Sequence, residues 1–208
     1  MSENTINNRI HVRNNVSVDF LTKVAILGAV SFIIMMFEFP LPVAPSFYKI
    51  DFSEVAVLIG GFALGPVAAV CIEALKVTLN LIFHGTTTMG VGEFANFLIG
   101  CAMCVPATLM YQKVKNKASA IKGLVIGTLC MTFAGIVLNY FLLIPAYVMI
   151  AHFPMDAIIK MGNEIYPFVN GKLSLVLACV TPFNLIKGVA VSVLTVLLYK
   201  HVSPILHR

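Results

Sequence analysis

The chain has 208 residues, of which 59% are hydrophobic and only 11% are charged. Soluble domains carry about 25% charged residues, so this composition and the mean hydropathy of +0.94 exclude a soluble catalytic domain and predict one transmembrane domain over residues 1–208. The net charge of +5 lies in short clusters beside apolar runs, as in the cytoplasmic flanks of membrane helices, which argues against a nucleic-acid surface.

The first predicted element is a polar N-terminus over residues 1–19. It lacks the apolar stretch of a signal peptide, so no cleavable signal peptide is expected. Apolar runs then predict membrane helices, because about 20 apolar residues cross a bilayer. The run from Phe52 to Phe83 is longer than one crossing requires. Gly65-Pro66 interrupts it, so one kinked helix and two shorter helices both fit. The other runs are Phe20–Phe37, Gly90–Tyr111, Ile121–Ile150 and a last run ending near Tyr199. The outer segments His84–Gly90 and His152–Gly171 are expected to be loops.

The positions of the basic residues decide between one kinked helix and two. Cytoplasmic flanks are rich in Lys and Arg, so the basic clusters before Phe20–Phe37 and before Ile121–Ile150 are both expected in the cytoplasm. An even number of crossings must then separate them, which requires a division at Gly65-Pro66. The predicted fold is an all-α integral membrane protein with six transmembrane helices and both termini cytoplasmic. The basic residues are Arg9, Arg13, Lys23, Lys113, Lys115, Lys117 and Lys122.

The second predicted helix, at about Phe52–Leu64, is too short to cross alone. It spans about 20 Å, whereas the hydrocarbon core is roughly 30 Å thick. The preceding segment, PLPVAPSFYKID, contains three prolines that exclude a helix. Non-helical backbone lies at membrane depth only where protein or a cavity surrounds it. An outer-side loop between helices one and two is therefore expected to fold over a pocket.

Polar residues inside the predicted helices are candidates for function, because burying them in a membrane is costly. Thr181, Asn184 and Lys187 share one face beside Pro182. An amide and a cation there suit a planar heterocycle with imide and carbonyl groups, or an anionic tail. The polar residues of the third and fourth predicted helices, which follow Gly65-Pro66, have a structural alternative to a functional role. They could instead form an intrahelical ion pair and interhelical hydrogen bonds. The further candidates are Glu73, Lys76, Asn80, Glu93, Asn96 and Asn139, with Thr86–Met89 at the pocket rim.

Two other features of the sequence bear on function. Ala25, Gly28 and Ala29 form a run of small residues in helix one, a spacing that allows another helix to approach closely. The sequence has no GxxxxGK[ST] phosphate loop, no HExxH and no GxSxG motif, so no ATP hydrolysis is expected from this chain.

Three segments, FYKIDFSEVAVLIGGFALGP, VGEFANFLIG and TPFNLIKG, together resemble the riboflavin-specific substrate-binding (S) component of energy-coupling factor (ECF) transporters. Ala25-x-x-x-Ala29 is similar to the motif of helix one in that family. The resemblance covers nearly the whole membrane region. It implies a six-helix binding subunit in a bacterial cytoplasmic membrane that captures a vitamin from outside. It also implies that a membrane T component and two cytoplasmic ATPases supply the energy, and that the chain is not an enzyme and needs no cofactor.

The resemblance implies roles for individual residues as well. The loop aromatic residues and their neighbouring lysine would close over the flavin, and helices four to six would contact its polar edge. Ala25 and Ala29, with Gly28 between them, would dock on the T component. The resemblance implies that the transported ligand is riboflavin, with FMN and FAD as further possibilities. The expected ligand-binding residues are Phe47, Tyr48, Lys49, Met89, Glu93, Asn96, Asn139, Thr181, Asn184 and Lys187.

Two alternatives remain at this point. The first is an S component for another vitamin, such as thiamine or pantothenate, which would bind no coloured ligand. The second is a polytopic membrane enzyme that uses Glu73, Lys76 and Glu93 as acid–base groups, although the sequence shows no nucleophile or metal signature to accompany them.

Overall fold

The computed structural model describes the backbone of residues 18–206 and the side chains of residues 18–199. The predicted N-terminal segment 1–19 therefore lies, up to residue 17, outside the described residues, and so do Arg9 and Arg13. The described chain is mostly helical, and five helical runs are long and apolar enough to cross a membrane. These runs are Val18–Met35, Pro66–Phe83, Val91–Val114, Lys117–Met149 and Lys172–Tyr199.

The stretch from Phe52 to Phe83 forms two helices, α2 (Glu54–Leu64) and α3 (Pro66–Phe83), which follow α1 (Val18–Met35). Gly65 separates them with a φ of +100°, a conformation that favours glycine, and Pro66 begins α3, where its missing N–H is not needed. The division lies where the sequence suggested it. With 11 residues, α2 is about 16 Å long and is the one shorter apolar helix among the described residues.

The segment between α1 and α2 is not helical. Its ends pair as a two-residue antiparallel ladder of β1 (Phe39–Pro40) and β2 (Lys49–Ile50), in which Phe39 lies opposite Ile50. The prolines within it deny the backbone the donors and φ angles that a longer helix or strand needs. We refer to residues 36–53 as the first loop, and to the end of the helix bundle that carries it as the loop end.

Three long helices complete the bundle. α4 (Val91–Val114) is continuous, whereas two others contain a π-helical turn. Asn139–Leu143 lies between α5 (Lys117–Leu138) and α6 (Ile144–Met149), and Val176–Val180 lies between α8 (Lys172–Leu175) and α9 (Thr181–Leu206). Each π turn lies just before a proline, Pro145 or Pro182. Proline clashes with the carbonyl four residues earlier and donates no hydrogen bond, and a wider turn relieves both problems.

One element differs from the sequence-based expectation. The segment from His152 to Gly171 was expected to be a loop, but it contains α7 (Met155–Ile165). Ile158 and Gly162 of this helix are buried against Val169 and Leu175, while its polar residues stay exposed. An amphipathic helix of 11 residues is too short to cross a membrane, so the pattern of apolar runs does not predict it.

Candidate functional site

A cavity of about 430 Å³ opens among the first loop, α3, α4, the α5–α6 run and α9 at the loop end. Its size falls within the range of small-molecule binding sites. Another pocket among the described residues, between α5 and α9 at the opposite end, has no room for a water molecule. The loop-end cavity is therefore the candidate functional site.

One wall of the cavity is aromatic. The rings of Phe47 and Tyr48 from the first loop lie 4.5 Å apart, Phe47 is 5.2 Å from Tyr147 of α6, and Tyr48 is 5.7 Å from Phe183 of α9. Phe153, just before α7, supports Phe47 from behind at 6.4 Å. Aromatic faces at these separations form a stable cluster that a flat aromatic ligand can extend by stacking.

Asn139 presents an amide beside this aromatic wall. It opens the π turn before Pro145 and is buried, with 1% of its surface exposed. The Tyr48 hydroxyl donates to Asn139 Oδ1 at 2.7 Å, and Asn139 Nδ2 donates to the carbonyl of Gly135 at 2.8 Å. Burial, followed by the nearby Tyr147 and Cys179, raises the pKa of Tyr48 well above its usual value, so its hydroxyl remains a donor. One N–H of Asn139 stays available to a ligand.

Asn184 presents a second amide from α9. Its Nδ2 donates to the carbonyl of Val180, at the end of the second π turn, at 2.9 Å. Its Oδ1 accepts no hydrogen bond from the described residues, although 98% of the residue is buried, so a ligand donor would satisfy it. Gly135 of α5 makes room for this amide, because a Cβ there would lie 2.5 Å from Asn184 Nδ2.

Lys187 lies one helical turn beyond Asn184 and forms two ion pairs. Its Nζ is 3.0 Å from Asp51 Oδ2 and 2.9 Å from Glu54 Oε1, and all three residues are buried. The hydroxyl and backbone N–H of Ser53 also donate to Asp51 Oδ1. Burial alone would raise the pKa of Asp51, but Lys187, together with Lys76 and the two Ser53 hydrogen bonds, outweighs it and holds that pKa well below its usual value. These contacts fasten the end of the first loop to α9.

A second lysine extends this cluster away from the cavity. Lys76 of α3 is fully buried, with its Nζ 2.6 Å from Glu73 Oε1, 3.4 Å from Glu54 Oε1 and 3.2 Å from Asn96 Oδ1. Asn96 and Glu54 line the cavity, whereas Glu73 and Lys76 do not. Gly100 of α4 allows α3 to approach, since a Cβ there would collide with the Glu73 carboxylate. Glu73 and Lys76 thus form an ion pair within α3, and the hydrogen bond from Lys76 to Asn96 joins α3 to α4.

Two further polar groups complete the lining, the exposed Lys49 and the half-buried Glu93. Lys49 Nζ lies 2.6 Å from Glu38 Oε1, across the two-residue ladder of the first loop. Glu93 at the start of α4 accepts a hydrogen bond from Thr86 Oγ1 at 2.9 Å. Thr86 Oγ1 in turn accepts from the backbone N–H of Gly90 at 2.9 Å, which orders the short connection between α3 and α4.

Eight of the ten residues expected to bind ligand line this cavity, and two do not. Met89 is 68% exposed and lies outside the cavity. Thr181 instead donates from Oγ1 to the carbonyl of Val176 at 3.0 Å, the same carbonyl that accepts its backbone N–H. The eight lining residues are Phe47, Tyr48, Lys49, Glu93, Asn96, Asn139, Asn184 and Lys187.

The small residues of α1 divide into two faces. Ala25 and Ala29 are exposed on the outside of the bundle. Gly28 is buried, and a Cβ there would lie 2.5 Å from Leu75 Cδ2, so this glycine brings α1 onto α3. Only the two alanines are accessible to a partner.

Several cavity residues were not predicted from the sequence. Phe183 and Tyr147 resemble ordinary apolar positions of a membrane helix, and no pattern distinguished them. Glu38 and Glu54 lie in segments that the sequence predicts as a loop and as the start of a helix. Their acidic side chains could have identified them, because an acidic residue at membrane depth is costly and is a functional candidate by default. Glu54 Oε2 and Asn80 Oδ1, both lining the cavity, also have no hydrogen-bond partner in the described protein.

Comparisons with known proteins agree with this architecture. Residues 19–199 match the family "ECF transporter, substrate-specific component". The chain is 34% identical over 190 residues to "Riboflavin transporter RibU" of Staphylococcus aureus (strain TCH60), covering 90% of this chain and 92% of that protein. It is 32% identical over 187 residues to "Riboflavin transporter FmnP" of Bacillus subtilis (strain 168), covering 88% of this chain and 92% of that protein.

A solved structure is also similar. It is described as "Structure and mechanism of the S component of a bacterial ECF transporter", and it superimposes with a TM-score of 0.72 at 33% sequence identity, covering 91% of this chain and 98% of that chain. Sequence and fold therefore agree over nearly the whole described region. The chain belongs to the family of substrate-specific (S) components of ECF transporters.

Proposed function

We propose that this S component binds riboflavin and delivers it for import. The observation that carries the proposal is a cavity with an aromatic wall on one side and two buried asparagine amides with free hydrogen-bonding capacity on the other. The isoalloxazine ring of riboflavin is flat and aromatic along one edge and carries an imide and carbonyls along the other. The similarity to proteins named as riboflavin transporters supports the same ligand.

The lining residues suggest how the ligand is held. Phe47 and Tyr48 stack on the ring from the first loop. The amides of Asn139 and Asn184 pair with its polar edge, because each retains unused donors or acceptors. Lys187 donates its remaining N–H to a ligand oxygen, while Asp51 and Glu54 fix its position. Glu93, Asn96 and Lys49 line the rest of the cavity and contact the sugar-alcohol chain.

The orientation and the assembly form part of the same proposal. Both termini lie in the cytoplasm, α2 is a sixth and shorter crossing, and the first loop covers the cavity from the outer side. The chain belongs to a family of transporter components, so it is not an enzyme. A T component docks on the exposed Ala25 and Ala29, and two ATPases drive transport. Small residues permit the close helix approach that such docking needs.

Fluorescence titration tests this function. Riboflavin fluorescence should be quenched on binding to the detergent-purified protein, with one equivalent bound per chain. Thiamine should not compete with riboflavin for the site. Proteoliposomes that hold the chain alone should not accumulate riboflavin, whereas those that also hold a T component and ATPases should. Saturable binding of thiamine without binding of riboflavin would show that the substrate is another vitamin and would overturn the proposal.

A further inference from the structure

Every lysine that lines the cavity already has a carboxylate partner among the described residues. Lys49 is 2.6 Å from Glu38, and Lys187 lies within 3.0 Å of both Asp51 and Glu54. Cations that bind a phosphate in proteins usually have donors free to point at it. In this cavity each lysine directs at least one of its donors at the protein's own carboxylates.

The balance of charge around the cavity is also unfavourable to an anion. Three glutamates and two lysines are among its lining residues, which gives a formal charge of −1. Asp51, in contact with Lys187 from behind, adds a further negative charge. A phosphate monoester carries nearly two negative charges above pH 7. Like charges placed together without water are strongly unfavourable, so the wall repels such a ligand. The lining glutamates are Glu38, Glu54 and Glu93.

The two ion pairs differ in how readily a phosphate could replace the carboxylate. Lys187 and its partners are buried, so displacing either acid would leave an unpaired charge away from water. Lys49 and Glu38 keep 38% and 15% of their side-chain surface exposed. Lys49 is therefore the one lining lysine that a phosphate could recruit, and Glu38 is the group that competes for it.

We infer that Glu38 is a specificity determinant of this cavity: by pairing with Lys49 it makes the protein prefer a flavin without phosphate to the corresponding phosphate monoester. This inference rests on the proposed function, since it concerns the same cavity and the same ring system. It gives the Glu38–Lys49 pair a role in selection besides that of closing the ladder of the first loop.

The test compares riboflavin with flavin mononucleotide (FMN), which differs from it only by the phosphate. Both are titrated by fluorescence at pH 8, where the phosphate is dianionic and histidine side chains are generally uncharged. The wild type should bind riboflavin at least about tenfold more tightly than FMN. Glu38→Gln should narrow that ratio about fivefold or more by freeing Lys49, and Glu38→Gln with Lys49→Ala should restore the wild-type ratio.

Asp19→Asn is the matched control. It removes one carboxylate from another ion pair, Asp19–Lys23, which is exposed on α1 and distant from the cavity, so the change in net charge is the same. The ratio should not change in this variant.

Equal affinity of the wild type for both flavins would overturn the inference while leaving riboflavin binding intact. A preference that Glu38→Gln leaves unchanged would also overturn it. Failure of the wild type to bind riboflavin would instead refute the proposed function itself.

Discussion

Gly135→Ala should weaken flavin binding without unfolding the protein. The new Cβ would lie 2.5 Å from Nδ2 and 3.0 Å from Cγ of Asn184, so the amide must retreat by about 1 Å to reach ordinary contact distance. The 2.9 Å hydrogen bond from Asn184 to Val180 would then lengthen or break, and the amide would leave its position at the cavity wall.

The size of the effect follows from the number of hydrogen bonds lost. One or two bonds at about 1 kcal/mol each amount to about 1–2 kcal/mol, or a Kd raised roughly 5- to 30-fold. The folded state should lose little, because alanine is a better helix former than glycine by up to about 1 kcal/mol, which offsets the lost bond. Riboflavin quenching measures the Kd, and thermal unfolding in detergent without ligand measures stability.

Two further glycine variants serve as controls. A Cβ added at Gly171 would meet no atom within 4 Å, so Gly171→Ala should change neither the riboflavin Kd nor the unfolding temperature. Gly127→Ala would place a Cβ 2.6 Å from the backbone carbonyl oxygen of Met103, so it should lower the unfolding temperature through misfit of α4 and α5. An unchanged Kd in Gly135→Ala, in a protein in which Asn184 is displaced, would refute the assignment of the Asn184 amide to the ligand.

Three other predictions follow from the same geometry. Lys187→Met should destabilise the protein by about 3–5 kcal/mol, because it leaves the buried Asp51 and Glu54 carboxylates unpaired, and thermal unfolding will show this. Ala29→Trp should leave the riboflavin Kd unchanged but abolish co-purification with a T component, because Ala29 is exposed on α1 and away from the cavity. Asp51→Asn should lower the unfolding temperature at pH 7, and this difference should shrink below about pH 4. The lowered pKa of Asp51 stabilises the folded state above the unfolded-state pKa of about 3.9 and this contribution is lost as pH falls.

Each of these has a contradicting result. Stability of Lys187→Met equal to wild type would mean that the two carboxylates find other partners. Loss of riboflavin binding in Ala29→Trp would mean that Ala29 affects the cavity. A difference for Asp51→Asn that is constant from pH 7 to pH 3 would mean that its charge contributes nothing to stability.

The sequence predicted membrane helices and the division at Gly65-Pro66 because these depend on local chemistry. Length and apolarity determine which segments can cross a bilayer, and a glycine followed by a proline ends one helix and starts another regardless of the rest of the chain. The sequence did not predict the amphipathic helix α7, because its 11 residues contain no continuous apolar run. Its apolar face is recognisable only once α8 packs against it.

The candidate site divides in the same way. Asn184 and Lys187 were found because a polar residue beside a proline in a membrane helix is unusual in itself. The partner of Lys187 could not be found, since Asp51 lies 136 residues away and only the packing of the first loop on α9 joins them. The π turns before Pro145 and Pro182 were also beyond the sequence. Proline predicts a local disturbance, but the surrounding helices decide whether it becomes a kink or a widened turn.

An absorbance spectrum of the protein purified from flavin-containing cells tests the central claim most directly. The account predicts a yellow protein whose visible bands correspond to about one riboflavin per chain, and whose bound flavin is released on denaturation as riboflavin and not as FMN. A colourless protein that also fails to quench added riboflavin would contradict the assignment of this cavity to a flavin.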